Sequence, residues 1–135
     1  MDIFLAVSAV LAWVFGAALL FATTQFLAPM GIVASPAIVV SGQTQGAILI
    51  GLGVMNWMAR RTTGAALRAV LAGNVVVQAA SWLVIVRALA LGIIPGQNAG
   101  AVVVHTLLGG GFLYFLLRPG RITAFTDGRT SANAR

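Results

Sequence analysis

The chain has 135 residues, of which 60% are hydrophobic and only 7% are charged. A soluble domain usually carries about 25% charged residues, so this sequence lacks the charge to cover a water-facing surface and is typical of an integral membrane protein. The absence of cysteine excludes disulfides, thiol nucleophiles and thiolate metal sites. The net charge of +6 does not indicate nucleic-acid binding, because the arginines flank apolar runs instead of forming a basic domain.

The first apolar run predicts a transmembrane helix over residues 3–24. We interpret it as a retained span, because its start lacks a basic region and the run is longer than the apolar core of a signal peptide. Asp2 is expected to cap this helix, since a carboxylate suits the positive end of the helix dipole. An uncharged connection follows over residues 25–35.

Ser35 and Pro36 together indicate the start of a second span over residues 36–60, because serine caps helices and proline is tolerated in the first turn. Glycines on two spans would let neighbouring helices approach closely. They are Gly46, Gly51 and Gly53 on the second span and the triplet at 109–111 on the fourth, which permits either a kink or a close approach.

A third span is predicted over residues 65–91, and the turn formers from Gly92 onward end it. A fourth span over residues 99–117 completes the set. The domain organisation that follows is one four-helix transmembrane domain over residues 1–121 and a short polar tail over residues 122–135.

Orientation follows from the arginines, all but one of which would lie on the same side of a protein with four spans. Those seven are Arg60, Arg61, Arg68, Arg118, Arg121, Arg129 and Arg135. The connections on the opposite side carry no charge. Positive residues mark the cytoplasmic side, so the predicted fold class is an all-α integral membrane four-helix bundle with both termini in the cytoplasm.

Polar side chains within the spans form the candidate site, because a polar group in lipid needs a partner. Asn74, Gln78 and Ser81 share one face of the third span. This face would give a small polar pocket open to the outer side. The candidate ligand-binding residues are Asn74, Gln78, Arg87, His105, Gln43, Gln45 and Trp82. The alternative is hydrogen bonding between helices, with Arg87 reaching out to lipid phosphate.

Chemistry at this site is limited by composition. His105 is the single histidine, glutamate is absent, and Asp2 and Asp127 both lie outside the spans. We therefore assign no catalytic residues and no metal site, and the sequence indicates no particular cofactor. A proton-coupled small multidrug exporter has a similar length, but it needs a carboxylate within the membrane, so that class is excluded.

The stretch from Phe15 to Arg60 resembles small bacterial four-helix membrane proteins of the DoxX-like group. The resemblance is carried by GAALLFATTQFLAPMGI, the serine–proline connection and QTQGAILIGLGVMNWMAR, with its Asn-Trp-x-x-Arg ending. It covers about a third of the chain and implies a four-helix bundle of bacterial origin. It implies no reaction, although DoxX itself is associated with respiratory oxidase subunits, so an accessory role follows by analogy.

Two functions are expected from these observations. The first is a non-enzymatic, multi-pass protein of the bacterial inner membrane that acts as an accessory subunit or binds a lipid or another hydrophobic molecule. Its partners would be membrane lipids and either further copies of itself or a larger membrane complex, because small-residue faces permit tight association. The alternative is a carrier or channel for a small neutral or anionic solute.

Overall fold

The computed structural model describes residues 1–118, so the expected tail over residues 122–135 lies outside the described residues. The described part contains four long helices and no strand. They are α1 over Asp2–Leu27, α2 over Pro36–Ala59, α3 over Gly64–Ala90 and α4 over Gly100–Leu117. Short 3₁₀ turns at Ala28–Met30 and Gly96–Ala99 lie in the two connections at one end. The predicted all-α fold class is confirmed.

Each of the four helices is long and apolar enough to cross a membrane. The 24 residues of α2 extend over about 36 Å, which exceeds the roughly 30 Å hydrocarbon core of a bilayer. The 18 residues of α4 are shorter, but the preceding 3₁₀ turn extends this apolar segment to Gly96–Leu117.

The helix ends follow from local capping. Ser35 is the N-cap of α2, and its Oγ accepts a hydrogen bond of 3.3 Å from the backbone N–H of Ile38. At α1 the N-cap is Met1 and Asp2 is the first helical residue, so the expected cap by Asp2 is wrong. α1 also continues past the expected end at residue 24 to Leu27, because no helix breaker occurs before Pro29.

The hairpin of α1 and α2 is held by close backbone approach. A Cβ atom at Gly46 would lie 2.6 Å from the carbonyl oxygen of Gly16 and 2.7 Å from the backbone nitrogen of Leu20, so only glycine fits. Gly53 likewise packs against Trp13. Gly51 makes no such contact within the described bundle, because a Cβ there would meet no atom within 4 Å.

Two glycines of the triplet in α4 pack closely against other helices, and the triplet does not produce a kink. Gly111 packs against the ring of Phe4, and a Cβ at Gly109 would lie 3.2 Å from the Cβ of Gln78. The helix is continuous through the triplet. Non-helical dihedral angles occur instead inside α1, at Ala22.

The two ends of the bundle differ in charge and packing. We call the end formed by Met1, residues 60–63 and Arg118 the basic end, and the end formed by residues 28–35 and 91–99 the loop end. A buried cluster joins the two hairpins at the basic end. It consists of Leu5, Ala59, Leu67, Leu71 and Phe112. In contrast, no residue of α3 beyond Gln78 is buried.

The loop end is closed by hydrogen bonds between its two connections. The Nε2 of Gln97 donates to the carbonyl oxygen of Pro29 at 2.9 Å, and the Nδ2 of Asn98 donates to that of Met30 at 3.1 Å. These bonds link the α1–α2 hairpin to the α3–α4 hairpin without an apolar core between them.

Candidate functional site

A pair of asparagines connects α2 to α3 in the interior. The Nδ2 of Asn56 donates to the Oδ1 of Asn74 at 3.2 Å, and the Nδ2 of Asn74 donates to the Oδ1 of Asn56 at 2.7 Å. Asn74 also donates to the carbonyl oxygen of Val70. Both side chains are buried. Each amide therefore makes the hydrogen bonds that water would make with the other if it were exposed.

The next polar contact joins α3 to α4. The Nδ1 of His105 lies 2.5 Å from the Oε1 of Gln78. Because an amide oxygen only accepts hydrogen bonds, Nδ1 of His105 is the donor in this contact. Gln78 is buried and His105 is half-buried, so the pair orients the imidazole within the hairpin.

A third contact involves Trp82, one turn further along α3 toward the loop end. The Nε1 of Trp82 donates to the Oγ1 of Thr106 at 3.1 Å, and that hydroxyl donates to the carbonyl oxygen of Val102 at 2.7 Å. Trp82 is therefore held against α4 by the polar edge of its ring, although the side chain as a whole is exposed.

The two glutamines of α2 are not part of this arrangement. Gln43 and Gln45 are both exposed, and within residues 1–118 neither side chain has a hydrogen-bond partner. The candidate residues on α2 thus lie on the outer surface of the bundle and do not contact the His105–Gln78 pair.

Arg87 is also separate from the paired residues. It is exposed in the last turn of α3, where it borders a groove of about 280 Å³. The groove is otherwise apolar, and its remaining lining residues are Leu83, Val84, Ala88 and Ile93.

The chemistry of the interior is hydrogen bonding between helices. In the described part of the chain no three metal-ligating side chains come together, and the single described acid, Asp2, lies at the basic end, at the start of α1. No buried side-chain nitrogen or oxygen among these residues lacks a hydrogen-bond partner. The buried polar side chains are therefore satisfied by one another or by backbone carbonyl groups.

The candidate set drawn from the sequence omits two residues of these contacts. Asn56 is the partner of Asn74, and Thr106 is the partner of Trp82. Polar residues on neighbouring apolar spans indicate that such partners exist. Their positions in the sequence do not indicate which of them form hydrogen bonds with each other.

Comparisons with protein-family models, with curated proteins and with solved structures find no match to this chain.

Proposed function

We propose that this chain is a non-enzymatic, multi-pass protein of the bacterial inner membrane that acts as an accessory subunit, by packing against other membrane helices. Membrane insertion is supported by the surface of the helices. Ile3, Phe21 and Leu107 are 81%, 82% and 69% exposed, and large apolar side chains of this kind occur over the length of the bundle. Such a continuous apolar surface suits lipid and not water.

The proposed orientation places both termini in the cytoplasm. Arg60, Arg61, Arg68 and Arg118 lie at or near the basic end, and positive residues favour the cytoplasmic side. Aromatic rings accompany two of them: the guanidinium carbon of Arg60 lies 3.2 Å from the ring centre of Trp57, and that of Arg118 lies 4.4 Å from Tyr114. Aromatic and basic side chains together are typical of a membrane–water interface.

The accessory role rests on one observation: the buried polar side chains have hydrogen-bond partners within the described bundle, whereas Gln43 and Gln45 have none and lie on the outside of α2. Gln43 is the eighth residue of α2, about 10 Å along the helix from Pro36. In a membrane this amide would lie within the hydrocarbon, where an unpaired polar group is unfavourable by several kcal/mol. A polar group from another chain would remove that cost.

The surrounding face of α2 would admit a partner helix. Ala47 and Gly51 follow Gln43 at spacings of four residues and so lie on the same face, and all three are exposed. The absence of any atom within 4 Å of a Cβ built at Gly51 leaves room for a close backbone approach. Small residues at this spacing are common where membrane helices associate.

The alternative of a carrier or channel is less well supported. It needs polar groups that face a shared path for the solute, but Asn74, Gln78 and Trp82 are engaged with partners on adjacent helices. No specific contact in the described bundle favours that alternative.

Orientation is tested by cysteine labelling, which is direct here because the chain has no cysteine of its own. Thr63→Cys lies at the basic end and Ala99→Cys at the loop end, and both positions are exposed. In intact spheroplasts a membrane-impermeant maleimide should label Ala99→Cys and should label Thr63→Cys only after permeabilisation. The reverse pattern would contradict the proposed orientation.

The accessory role is tested by a photo-crosslinking residue placed at Gly51, with Gly73 on α3 as the matched control, since a Cβ at either glycine meets open space. Illumination of intact membranes should give a protein adduct of defined mass from position 51 and little from position 73. An adduct of twice the chain mass identifies a second copy, and any other mass identifies a different subunit. If position 51 yields lipid adducts alone, the accessory role is refuted.

A further inference from the structure

The groove beside Arg87 is built by the way α3 ends. Gly92 adopts the left-handed conformation with φ +65°, which reverses the chain after the helix. The N–H of Gly92 then donates to the carbonyl oxygen of Leu89 at 3.1 Å, and the N–H of Ile93 donates to that of Ala88 at 2.9 Å. This is a Schellman motif. It folds Ile93 back against the helix, and Ile93 becomes one wall of the groove.

Because of this motif, the side chain of Arg87 is not needed to cap the C-terminus of α3. Basic side chains near a helix C-terminus can bind the last carbonyl groups, but here the carbonyl oxygens of Arg87, Ala88 and Leu89 already accept backbone N–H groups. Among residues 1–118 no hydrogen bond or ion pair involves the guanidinium group. If α3 spans a membrane, a cation in its last turn needs an anionic or polar partner.

The groove opens at the side of the bundle, where lipid would lie in a membrane. Leu83, Val84 and Ile93 are 62%, 68% and 68% exposed, and the volume of about 280 Å³ falls just below the range of roughly 300–1,000 Å³ that is typical of sites enclosing a small molecule. An open apolar groove with one cation at its rim matches an amphiphile that has an anionic head and a flexible chain.

We propose that this groove binds an anionic phospholipid of the leaflet at the loop end. The planar guanidinium of Arg87 donates parallel hydrogen bonds to the phosphate, while the first part of an acyl chain lies along Val84 and Ile93. This site rests on the membrane insertion proposed above, but it does not depend on the accessory role or on its partner.

The test uses the full-length protein in phosphatidylcholine vesicles that contain a minor fraction of phosphatidylglycerol. After mild extraction, native mass spectrometry should show phosphatidylglycerol retained in preference to phosphatidylcholine. Arg87→Gln should lower this retention about fivefold, because the hydrogen bonds that the guanidinium donates to the phosphate in the groove contribute on the order of 1 kcal/mol. Arg68→Gln is the matched control, an exposed arginine of the same helix near the basic end, and its loss should be less than twofold.

A second variant examines the apolar part of the site. Ile93→Ser keeps the charge of Arg87 but removes a wall of the groove, so phosphatidylglycerol retention should again fall. Unchanged retention in Ile93→Ser, or equal losses in Arg87→Gln and Arg68→Gln, would show a general attraction of charges and overturn the proposal. Displacement of the lipid by inorganic phosphate alone would also overturn it, since free phosphate cannot occupy the apolar walls.

Flotation of the same vesicles separates this proposal from the membrane assignment. An Arg87→Gln protein that floats with the lipid and retains phosphatidylglycerol as the wild type does would overturn the lipid site alone. A wild-type protein that does not float would overturn the membrane assignment as well.

Discussion

At the basic end the two hairpins meet through buried side chains. The rings of Phe4 and Phe112 pack edge to face at 4.9 Å, and the Asn56–Asn74 pair joins α2 to α3 in the interior. At the loop end they meet through Gln97 and Asn98, two amides that donate to backbone carbonyl groups. The first set of contacts excludes solvent and lipid, whereas the second leaves α3 and α4 exposed along their sides.

This contrast assigns different roles to the two ends. Within a membrane, packing and interhelical hydrogen bonds stabilise a bundle, because lipid supplies no hydrophobic driving force between helices. The basic end has both kinds of contact, so most of the stability should reside there. The loop end has few, and it is also where Gln43, Gln45 and the Arg87 groove present groups that need partners from outside the chain.

The largest effect should come from the core of the basic end. Phe112 is fully buried, so Phe112→Ala should lower the free energy of unfolding by about 3 kcal/mol, through the lost contacts and the cavity that remains. Titration with sodium dodecyl sulfate in mild detergent micelles measures this change. Leu107→Ala, on the same helix but 69% exposed, should change the stability little. Similar losses in both variants would contradict the difference between buried and exposed positions.

The asparagine pair should give the next largest effect. Asn74→Leu leaves the buried amide of Asn56 without its partner, which should cost about 1–3 kcal/mol in the same titration. The double variant Asn56→Leu/Asn74→Leu removes both polar groups and should recover most of that loss. If the double variant is as unstable as the sum of the single ones, the two amides do not stabilise each other.

The sequence predicts the helices of this fold better than it predicts their contacts. Four apolar runs, the Ser35-Pro36 start and the stop at Gly92 locate the elements, because these signals are local. The contacts do not follow from such signals, because counting outward along antiparallel helices from the turn at residues 91–99 would place Gln78 opposite Phe112, whereas its partner is His105. The same counting from the link at residues 60–63 would place Asn56 opposite Leu67, whereas its partner is Asn74.

The remaining features depend on tertiary packing. The offset between α2 and α3 reflects how the whole hairpins pack against each other, which no local pattern encodes. The outward direction of Gln43 and Gln45 does not follow from a local pattern either, because α2 has glycines on several faces. Those at Gly42, Gly46 and Gly53 meet α1 closely, whereas Gly51 does not. Sequence reasoning therefore identified polar candidates but not which of them pair with one another.

A smaller effect is expected between the ends, at the pair of Gln78 and His105. Gln78→Leu should lower the free energy of unfolding by about 0.6 kcal/mol, the average for interhelical hydrogen bonds in membranes. A double-mutant cycle with His105→Leu isolates the interaction from changes in volume. A coupling energy of zero would show that the contact does not stabilise the bundle. A value of several kcal/mol would mean that this pair contributes as much to the stability as the contacts of the basic end.

The smallest change in overall stability should come from the loop end itself. Gln97→Ala removes the hydrogen bond to the carbonyl oxygen of Pro29, but both groups are exposed, so water or lipid headgroups can replace each partner and the detergent titration should shift by no more than about 0.5 kcal/mol. The local effect should be larger, since this bond ties one hairpin to the other where no core does. Hydrogen exchange should therefore become faster for backbone amides near residues 28–34 and 91–99 while those of the basic end stay unchanged. Faster exchange throughout the bundle would mean that the two ends unfold as one cooperative unit, and the contrast between them would then be one of geometry and not of stability.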